Sequence, residues 1–218
     1  MNENSKINFY GYDLNITKDV LIPRPETEQA VDAILNLVGV SYLPGVKPSK
    51  PQIAKNITIL DVGTGSGCIA IALAKKLPEA KIYASDISEK ALKVAQKNAK
   101  TLGVHPTFII SYLLENVNFT PDLIVANLPY VDPEWDWIDK KALAKEPAIA
   151  LYADDHGLKL IKELISDAAK QKVPYLVLEA DPCQHKKIIA FAKDYDLCET
   201  RGFILTFRHK ATAKVAND

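Results

Sequence analysis

Runs of apolar residues alternate with amphipathic runs along most of the chain. We predict strands where apolar, β-branched and aromatic residues cluster, and helices where apolar residues recur every three or four positions. The predicted strands are Ile57 to Val62, Lys81 to Ser85, Thr107 to Ile110, Leu123 to Ala126, Tyr175 to Glu179, Leu197 to Thr200 and Phe203 to Arg208. The predicted helices are Gly67 to Leu77, Glu89 to Leu102, Leu158 to Lys170 and His185 to Tyr195. This alternation predicts an α/β fold whose mostly parallel sheet carries helices on both faces.

The N-terminal part of the chain has a different pattern. Ile7 to Tyr10 and Tyr12 to Ile16 flank Gly11 and predict a short hairpin. A helical pattern that Thr27 is placed to cap follows, with apolar residues at positions 30, 31, 34, 35 and 38. Three prolines between Gly39 and Lys55 predict a connector, and we expect a frayed tail from Ala211 to Asp218.

Length and charge limit the possibilities further. The 218 residues carry 27 basic and 27 acidic side chains, so no overall field draws the protein to nucleic acid or to an anionic membrane. We expect one domain over residues 1–218, with a hairpin region at 1–28 and the main body at 57–208. No apolar run approaches a membrane span and the N-terminus has no signal-peptide pattern, which predicts a cytoplasmic protein. The three cysteines have no metal-binding spacing and are expected to be buried thiols.

A glycine-rich turn follows the first strand of the predicted sheet. Glycines permit a sharp turn and let a ligand approach the backbone closely. The spacing is G-x-G-x-G after an aspartate, not the G-x-G-x-x-G that places a pyrophosphate at a helix N-terminus. This spacing favours S-adenosylmethionine over a dinucleotide. The candidate cofactor residues in the turn are Asp61, Gly63, Thr64, Gly65 and Gly67.

A second aspartate, Asp86, follows the next predicted strand. A carboxylate at that place can accept hydrogen bonds from both hydroxyls of an adenosine ribose, so Asp86 is the candidate ribose ligand. In the alternative interpretation, Asp61 and Asp86 only cap the helices that follow them.

The segment Asn127-Leu128-Pro129-Tyr130 follows the fourth predicted strand. An asparagine, a proline-stiffened turn and an aromatic ring can hold a planar NH2 group, with oxygen acceptors in its plane and the ring on its face. In the expected strand order this segment lies beside the glycine turn, so we predict that it binds the nitrogen that is methylated. The alternative is an ordinary turn, because Asn and Pro are frequent in turns. Trp135 and Trp137 either cover this segment or pack in the core.

Taken together, these motifs resemble the HemK/PrmC family of protein-(glutamine) N5-methyltransferases, the release factor glutamine methyltransferases. The resemblance runs from about Phe9 to Arg208 and is most specific in Val20 to Glu28, VLIPRPETE. Glu146 to Leu151 and Leu178-Glu179 also correspond. The resemblance implies a Rossmann-like methyltransferase fold with a seven-stranded, mostly parallel sheet whose last strand is antiparallel. It also implies S-adenosylmethionine as cofactor and S-adenosylhomocysteine as product, with Ile87, Ser111, Tyr112 and Asn127 among the cofactor contacts.

The family's activity is methylation of the glutamine in the Gly-Gly-Gln motif of class I peptide-chain release factors, without a metal ion. Leu128 departs from the family, which usually has proline there, although its backbone carbonyl can still accept an amide N–H. Asn-Leu-Pro-Tyr also resembles the motif of rRNA adenine dimethyltransferases. An adenine N-methyltransferase acting on RNA or DNA is therefore the alternative, and a non-catalytic cofactor-binding module is a third. Only six residues precede the hairpin, so we expect the family's helical N-terminal domain to be absent.

Overall fold

The structure is a computed structural model, and it describes residues 5–40, 51–54, 56–144 and 146–215. Its nine strands in these ranges are β1 (Ser5–Phe9), β2 (Tyr12–Ile16), β3 (Thr58–Val62), β4 (Lys81–Asp86), β5 (Thr107–Ile110), β6 (Leu123–Ala126), β7 (Tyr175–Glu179), β8 (Tyr195–Arg201) and β9 (Ile204–His209). The α-helices are α1 (Glu28–Leu37), α2 (Cys68–Lys76), α3 (Glu89–Leu102), α4 (Lys140–Leu143), α5 (Lys159–Lys170), α6 (His185–Phe191) and α7 (Lys210–Val215). The predicted N-terminal hairpin is present as β1 and β2, which pair antiparallel.

The main sheet has seven strands in the order β5-β4-β3-β6-β7-β9-β8. Strands β3 to β7 are parallel, whereas β9 runs antiparallel to both β7 and β8. The predicted mostly parallel sheet with an antiparallel last strand is therefore confirmed. Because β4 and β6 flank β3, the strand order reverses at β3, and the carboxyl ends of these three strands lie at one edge of the sheet.

Successive residues of the central strands pack on opposite faces of the sheet, as the period of two requires. Ile59, Val125 and Val177 belong to the core that includes α1, α2 and α3. Leu60 and Ile124 belong to the second core, which includes α5 and α6. Helices therefore cover both faces, which explains why β6 and β7 are buried throughout and why their sequences lack a polar alternation.

Several sequence expectations need correction. The last long helix ends at Phe191 instead of Tyr195, because Tyr195 is buried in β8 with its hydroxyl donating to the Val173 carbonyl. The tail begins as helix α7 and is not frayed from its start. Cys183 and Cys198 are exposed, so the expectation of buried thiols was wrong for both.

Most of the predicted connector from Gly39 to Lys55 lies outside the described residues. In the part of the chain that the structure describes, no helix has the length and apolar character to cross a membrane.

Asn98 connects the hairpin, helix α3 and the glycine turn. Its fully buried amide donates to the carbonyls of Asn15 and Ser66, both at 3.0 Å, and accepts from the Asn15 N–H at 2.9 Å. The side chain thereby satisfies backbone groups of two separate segments, so the hairpin is fixed against the body of the fold.

We expect Asn98→Ala to lower the free energy of unfolding by roughly 2 to 3 kcal/mol, because it leaves buried backbone groups without partners. The control is Lys97→Ala on the exposed side of the same helix. This substitution should change the free energy of unfolding by less than about 0.5 kcal/mol. Urea denaturation of both variants measures the difference. Equal midpoints for the two variants would contradict this role of Asn98.

Candidate active site

A cavity of about 250 Å³ lies at the carboxyl ends of β3, β4 and β6. Its walls come from the glycine turn, the loops after β4 and β5, the segment after β6 and part of the N-terminal region before α1. Among the described residues, the wall includes the predicted site residues Gly63, Thr64, Gly65, Asp86, Ile87, Ser111, Tyr112, Asn127, Leu128 and Pro129. Three other predicted residues, Asp61, Gly67 and Tyr130, are not among the residues that line the cavity.

Asp61 lies beneath the glycine turn and is only 1% exposed. Its Oδ2 accepts hydrogen bonds from the Thr64 hydroxyl at 2.7 Å and from the backbone N–H of Ala70 at 3.2 Å. Burial raises the pKa of Asp61 to about 7. Because Ala70 lies in the first turn of α2, Asp61 joins the glycine turn to the start of that helix, and its contact with the cofactor stays a prediction.

Asp86 lies on the cavity wall at the end of β4. One carboxylate oxygen accepts from the Gly65 N–H at 2.9 Å and the other from the Ser88 N–H at 2.8 Å. Helix α3 is capped by the Ser88 hydroxyl and not by Asp86. Each Asp86 oxygen has a further lone pair, so the carboxylate can still accept hydroxyl groups from a ligand. Burial raises the pKa of Asp86 above its ordinary value.

The glycine turn and the segment after β6 pack directly against each other. Gly63 has a φ of +74°, and a Cβ atom built on it would lie 2.9 Å from Cδ2 of Leu128. Leu128 is itself buried. A side chain at position 63 would thus be strained and would displace Leu128, so glycine is required here for two reasons. The two motifs together form one continuous wall.

Asn127 is held by a residue from the N-terminal region. Its Nδ2 donates to the Thr27 hydroxyl oxygen at 3.1 Å. Thr27, which is 1% exposed, ends the short 3-10 helix Pro25–Thr27. The segment most specific to the resemblance therefore contacts the predicted amide-binding residue, a contact that the sequence analysis missed.

Glu146 fixes this N-terminal segment in place. Its carboxylate accepts from the Ile22 N–H at 2.9 Å and forms an ion pair with Arg24. The Glu146 side chain is almost completely buried, so the pair is shielded from solvent on one side. Two segments that the resemblance singled out are thus joined across more than a hundred residues of sequence.

Tyr130 is anchored by Glu179 and Gln184 and is not among the residues that line the cavity. Its hydroxyl donates to Oε1 of Glu179 at 3.2 Å, and its carbonyl accepts from Nε2 of Gln184 at 2.8 Å. The backbone of Gly157 is so close that a Cβ there would lie 1.9 Å from the Tyr130 carbonyl oxygen. Burial raises the pKa of the Tyr130 phenol above its ordinary range. Stacking of the ring on the acceptor stays a prediction.

Glu179 is a buried acid that the sequence analysis named only as part of the family resemblance, without a role at the site. It ends the otherwise apolar strand β7 and is 2% exposed. Burial raises the pKa of Glu179 to about 7, and its Oε2 is buried without a hydrogen-bond partner. An acidic residue at the end of an otherwise apolar strand is unusual, and this pattern in the sequence could have indicated a functional role for Glu179.

A shallower cleft adjoins the cavity and shares Tyr112, Tyr152 and Leu160 with it. Asp132, Glu134 and His156 lie in this cleft with potential metal-binding atoms within 4.8 Å of one another, and Asp132 is already paired with His156 at 2.8 Å.

The two tryptophans that follow the segment after β6 stack on each other, with ring centroids 5.0 Å apart. Trp137 is 62% exposed, so it does not pack in the core.

Comparison with known structures agrees with this architecture. A ribosomal protein L11 methylase from Lactobacillus delbrueckii subsp. bulgaricus superimposes with a TM-score of 0.58 at 23% identity, covering 88% of this chain and 82% of the other. A Thermus thermophilus 16S rRNA N2 G1207 methyltransferase in complex with AdoMet and guanosine superimposes with a TM-score of 0.64 at 15% identity. This match covers 95% of this chain and 50% of the other. At these identities the likeness shows the fold, that of S-adenosylmethionine-dependent methyltransferases.

Sequence comparison identifies nearer relatives. A family model described as ribosomal protein L11 methyltransferase (PrmA) matches residues 47–129. A release factor glutamine methyltransferase from Flavobacterium psychrophilum is 38% identical over 198 residues, covering 88% of this chain and 66% of the relative. A release factor glutamine methyltransferase from Koribacter versatilis is 40% identical over 159 residues, covering 72% of this chain and 52% of the relative. The chain thus spans about half to two thirds of the length of these curated relatives. By its sequence, the chain belongs to the family of release factor glutamine methyltransferases.

Proposed function

We propose that the protein transfers a methyl group from S-adenosylmethionine to the side-chain amide nitrogen of a protein glutamine. The substrate we propose is the Gly-Gly-Gln motif of a class I peptide-chain release factor. The observation that carries the proposal is the position of Asn127, which lines the cavity next to the glycine turn. The names of the relatives support the same substrate class.

The cavity has the features that the cofactor requires. The glycines at 63 and 65 leave the backbone open to a ligand, and a Cβ at Gly63 would intrude on the wall that Leu128 forms. Asp86 retains acceptor capacity for two ribose hydroxyls, and Tyr112 offers an aromatic face on the same wall. S-adenosylmethionine, when bound, supplies an electrophilic methyl group on a positively charged sulfur. The residues present therefore fit this group.

The chain's own residues position the acceptor. A carboxamide nitrogen is a weak nucleophile because its lone pair is delocalised, so alignment must supply much of the rate. Oδ1 of Asn127 and the Leu128 carbonyl accept the two amide hydrogens, and Pro129 stiffens the turn that presents them. Two accepted hydrogen bonds increase the electron density on the nitrogen. The N–C bond would form as the sulfur–methyl bond breaks, and the surplus N–H proton would pass to solvent water, because neither accepting oxygen is basic enough to keep it.

The function can be tested with purified protein and isotopically labelled methyl donor. We expect label on an intact release factor and none on the same factor with its Gly-Gly-Gln changed to Gly-Gly-Ala. An adenine-containing RNA is offered in parallel. Label on the RNA alone would overturn the proposal in favour of the adenine N-methyltransferase. Cofactor binding without label on either acceptor would favour the non-catalytic module.

We expect Asp86→Ala to weaken the binding of S-adenosylhomocysteine, because charge-assisted hydrogen bonds to two ribose hydroxyls contribute about 1.5 to 3 kcal/mol each. Calorimetric titration measures the affinity, and circular dichroism verifies that the variant is folded. The matched control is Asp122→Ala, an aspartate before β6 that lies away from the cavity. Parental affinity in Asp86→Ala would remove Asp86 from the cofactor site.

We expect Asn127→Ala to bind the cofactor normally and to transfer methyl groups about 10²-fold more slowly, because the variant loses an acceptor-positioning group. Single-turnover kinetics with saturating cofactor separates the two effects. A parental rate in this variant would refute the amide-binding role of Asn127.

A further inference from the structure

At the cavity wall, three side chains from distant parts of the sequence, those of Thr27, Asn127 and Glu179, form a polar connection, and Thr27 and Glu179 are buried. Asn127 Nδ2 donates to the Thr27 hydroxyl oxygen at 3.1 Å. Glu179 lies close enough that the polar side chains of Thr27, Tyr130 and Asn127 lower its pKa against the larger effect of burial. One Glu179 oxygen accepts from Tyr130, whereas the other, Oε2, is buried without a partner. A buried carboxylate oxygen in this state needs a donor.

Thr27 has one proton to donate. Although Thr27 is the N-cap residue of α1, its side chain makes no capping hydrogen bond. Its oxygen already accepts from Asn127, so the hydroxyl proton needs an acceptor of its own. The neighbouring carboxylate, when ionised, can only accept hydrogen bonds. A rotation of the hydroxyl toward Glu179 satisfies both groups.

We propose that Glu179, acting through Thr27, fixes the orientation of the Asn127 amide so that its oxygen and not its NH2 group faces the acceptor nitrogen. The identity of the acceptor rests on the proposed function, but the orientation argument applies to any NH2 acceptor. Glu179 and Thr27 are thus positioning residues. The Thr27 proton goes to Glu179, so Thr27 must accept from Nδ2, and Oδ1 is left for the substrate.

Loss of Glu179 removes this constraint. Thr27 can then donate its proton to Oδ1 of a rotated Asn127 amide, which turns the NH2 group toward the substrate. Two NH2 groups would face each other with no acceptor between them, and the substrate nitrogen would lose its alignment. We therefore expect slower methyl transfer with unchanged cofactor affinity.

The connection from Glu179 through Thr27 to Asn127, which we call the relay, also predicts a pH dependence. Besides Tyr130, the titratable groups of the described residues that interact with Glu179 are Glu26, whose negative charge raises the Glu179 pKa, and Cys68 near the start of α2. Burial raises the pKa of Cys68 to about 12 and that of Tyr130 above its ordinary range, so neither ionises near neutral pH. Glu179 itself has a pKa raised by burial to about 7. Below that pH it carries a proton, can donate instead of accept, and no longer dictates the direction of the Thr27 bond.

The test compares Thr27→Val, Thr27→Ser and Glu179→Gln by single-turnover kinetics. Thr27→Val and Glu179→Gln should each slow transfer about 10-fold or more, because Val has no hydroxyl and Gln can donate as well as accept. Thr27→Ser should recover most of the rate. The double variant Thr27→Val/Glu179→Gln should be no slower than the slower single variant, because both residues act through one connection. The control is Glu79→Gln, which replaces an exposed glutamate after α2 and should transfer methyl groups at the parental rate.

The pH profile provides a second test of the relay. The parental rate should fall as the pH drops through about 7, and this fall should be smaller in Glu179→Gln. Asp61, whose pKa burial also raises to about 7, is present in both proteins, so the difference between the two profiles reports Glu179. Equal rates for Thr27→Val and Thr27→Ser, multiplicative losses in the double variant, or a parallel loss of S-adenosylhomocysteine affinity would each overturn the proposal. Thermal unfolding establishes which variants are folded. If Glu179→Gln does not fold, the pair of Thr27 variants decides.

A measurement without any acceptor separates this proposal from the proposed function. The side-chain amide signals of Asn127, assigned by their absence in Asn127→Ala, report its hydrogen bond in a 15N–1H spectrum. We expect these signals to shift in Glu179→Gln and Thr27→Val and to keep near-parental positions in Thr27→Ser. Unmoved signals in both of the first two variants would overturn the relay. Label on RNA instead of a release factor would overturn only the choice of substrate.

Discussion

Parallel pairing of β3 with β4 on one side and with β6 on the other brings together the glycine turn, Asp86 and Asn127, the central groups of the candidate site. Because β3 lies where the strand order reverses, no crossover helix covers the space above its carboxyl end. The glycine turn leaves β3 there, Asp86 ends β4 and Asn127 follows β6. A ligand site at any other edge of this sheet would lack at least one of these groups.

The close packing of Leu128 on Gly63 makes the turn and the segment after β6 interdependent. In the family's usual motif proline occupies position 128, and here a larger branched side chain fills the space beside a glycine that has no Cβ. This contact explains how the segment is held without a second proline. The backbone carbonyl of residue 128, which the proposed mechanism uses, is present with either side chain.

Acidic groups at the site are buried to different degrees and serve different purposes. Asp61 accepts hydrogen bonds from the turn and from α2, and Asp86 combines two loop contacts with a place on the cavity wall. Asp61 and Glu179 each have one buried oxygen without a partner, although burying an unpaired carboxylate oxygen is costly. Burial raises the pKa of Asp61 and of Glu179 to about 7, so a protein with no net charge still holds carboxyl groups that respond near neutral pH.

The sequence by itself determined the seven-stranded sheet, the helices between its strands and the position of the glycine turn. These features follow from local periodicity and from the backbone angles that glycine permits, and both are written in neighbouring residues. It also located Asp86 and Asn127, because a strand's last residues indicate its carboxyl end. Only the tertiary structure decided that Asp61 faces the turn, that the Tyr130 hydroxyl reaches Glu179, and that Thr27 and Glu179 meet at Asn127. Thr27 and Asn127 are a hundred residues apart, and contacts over such distances depend on how packed elements are oriented, which no local pattern specifies.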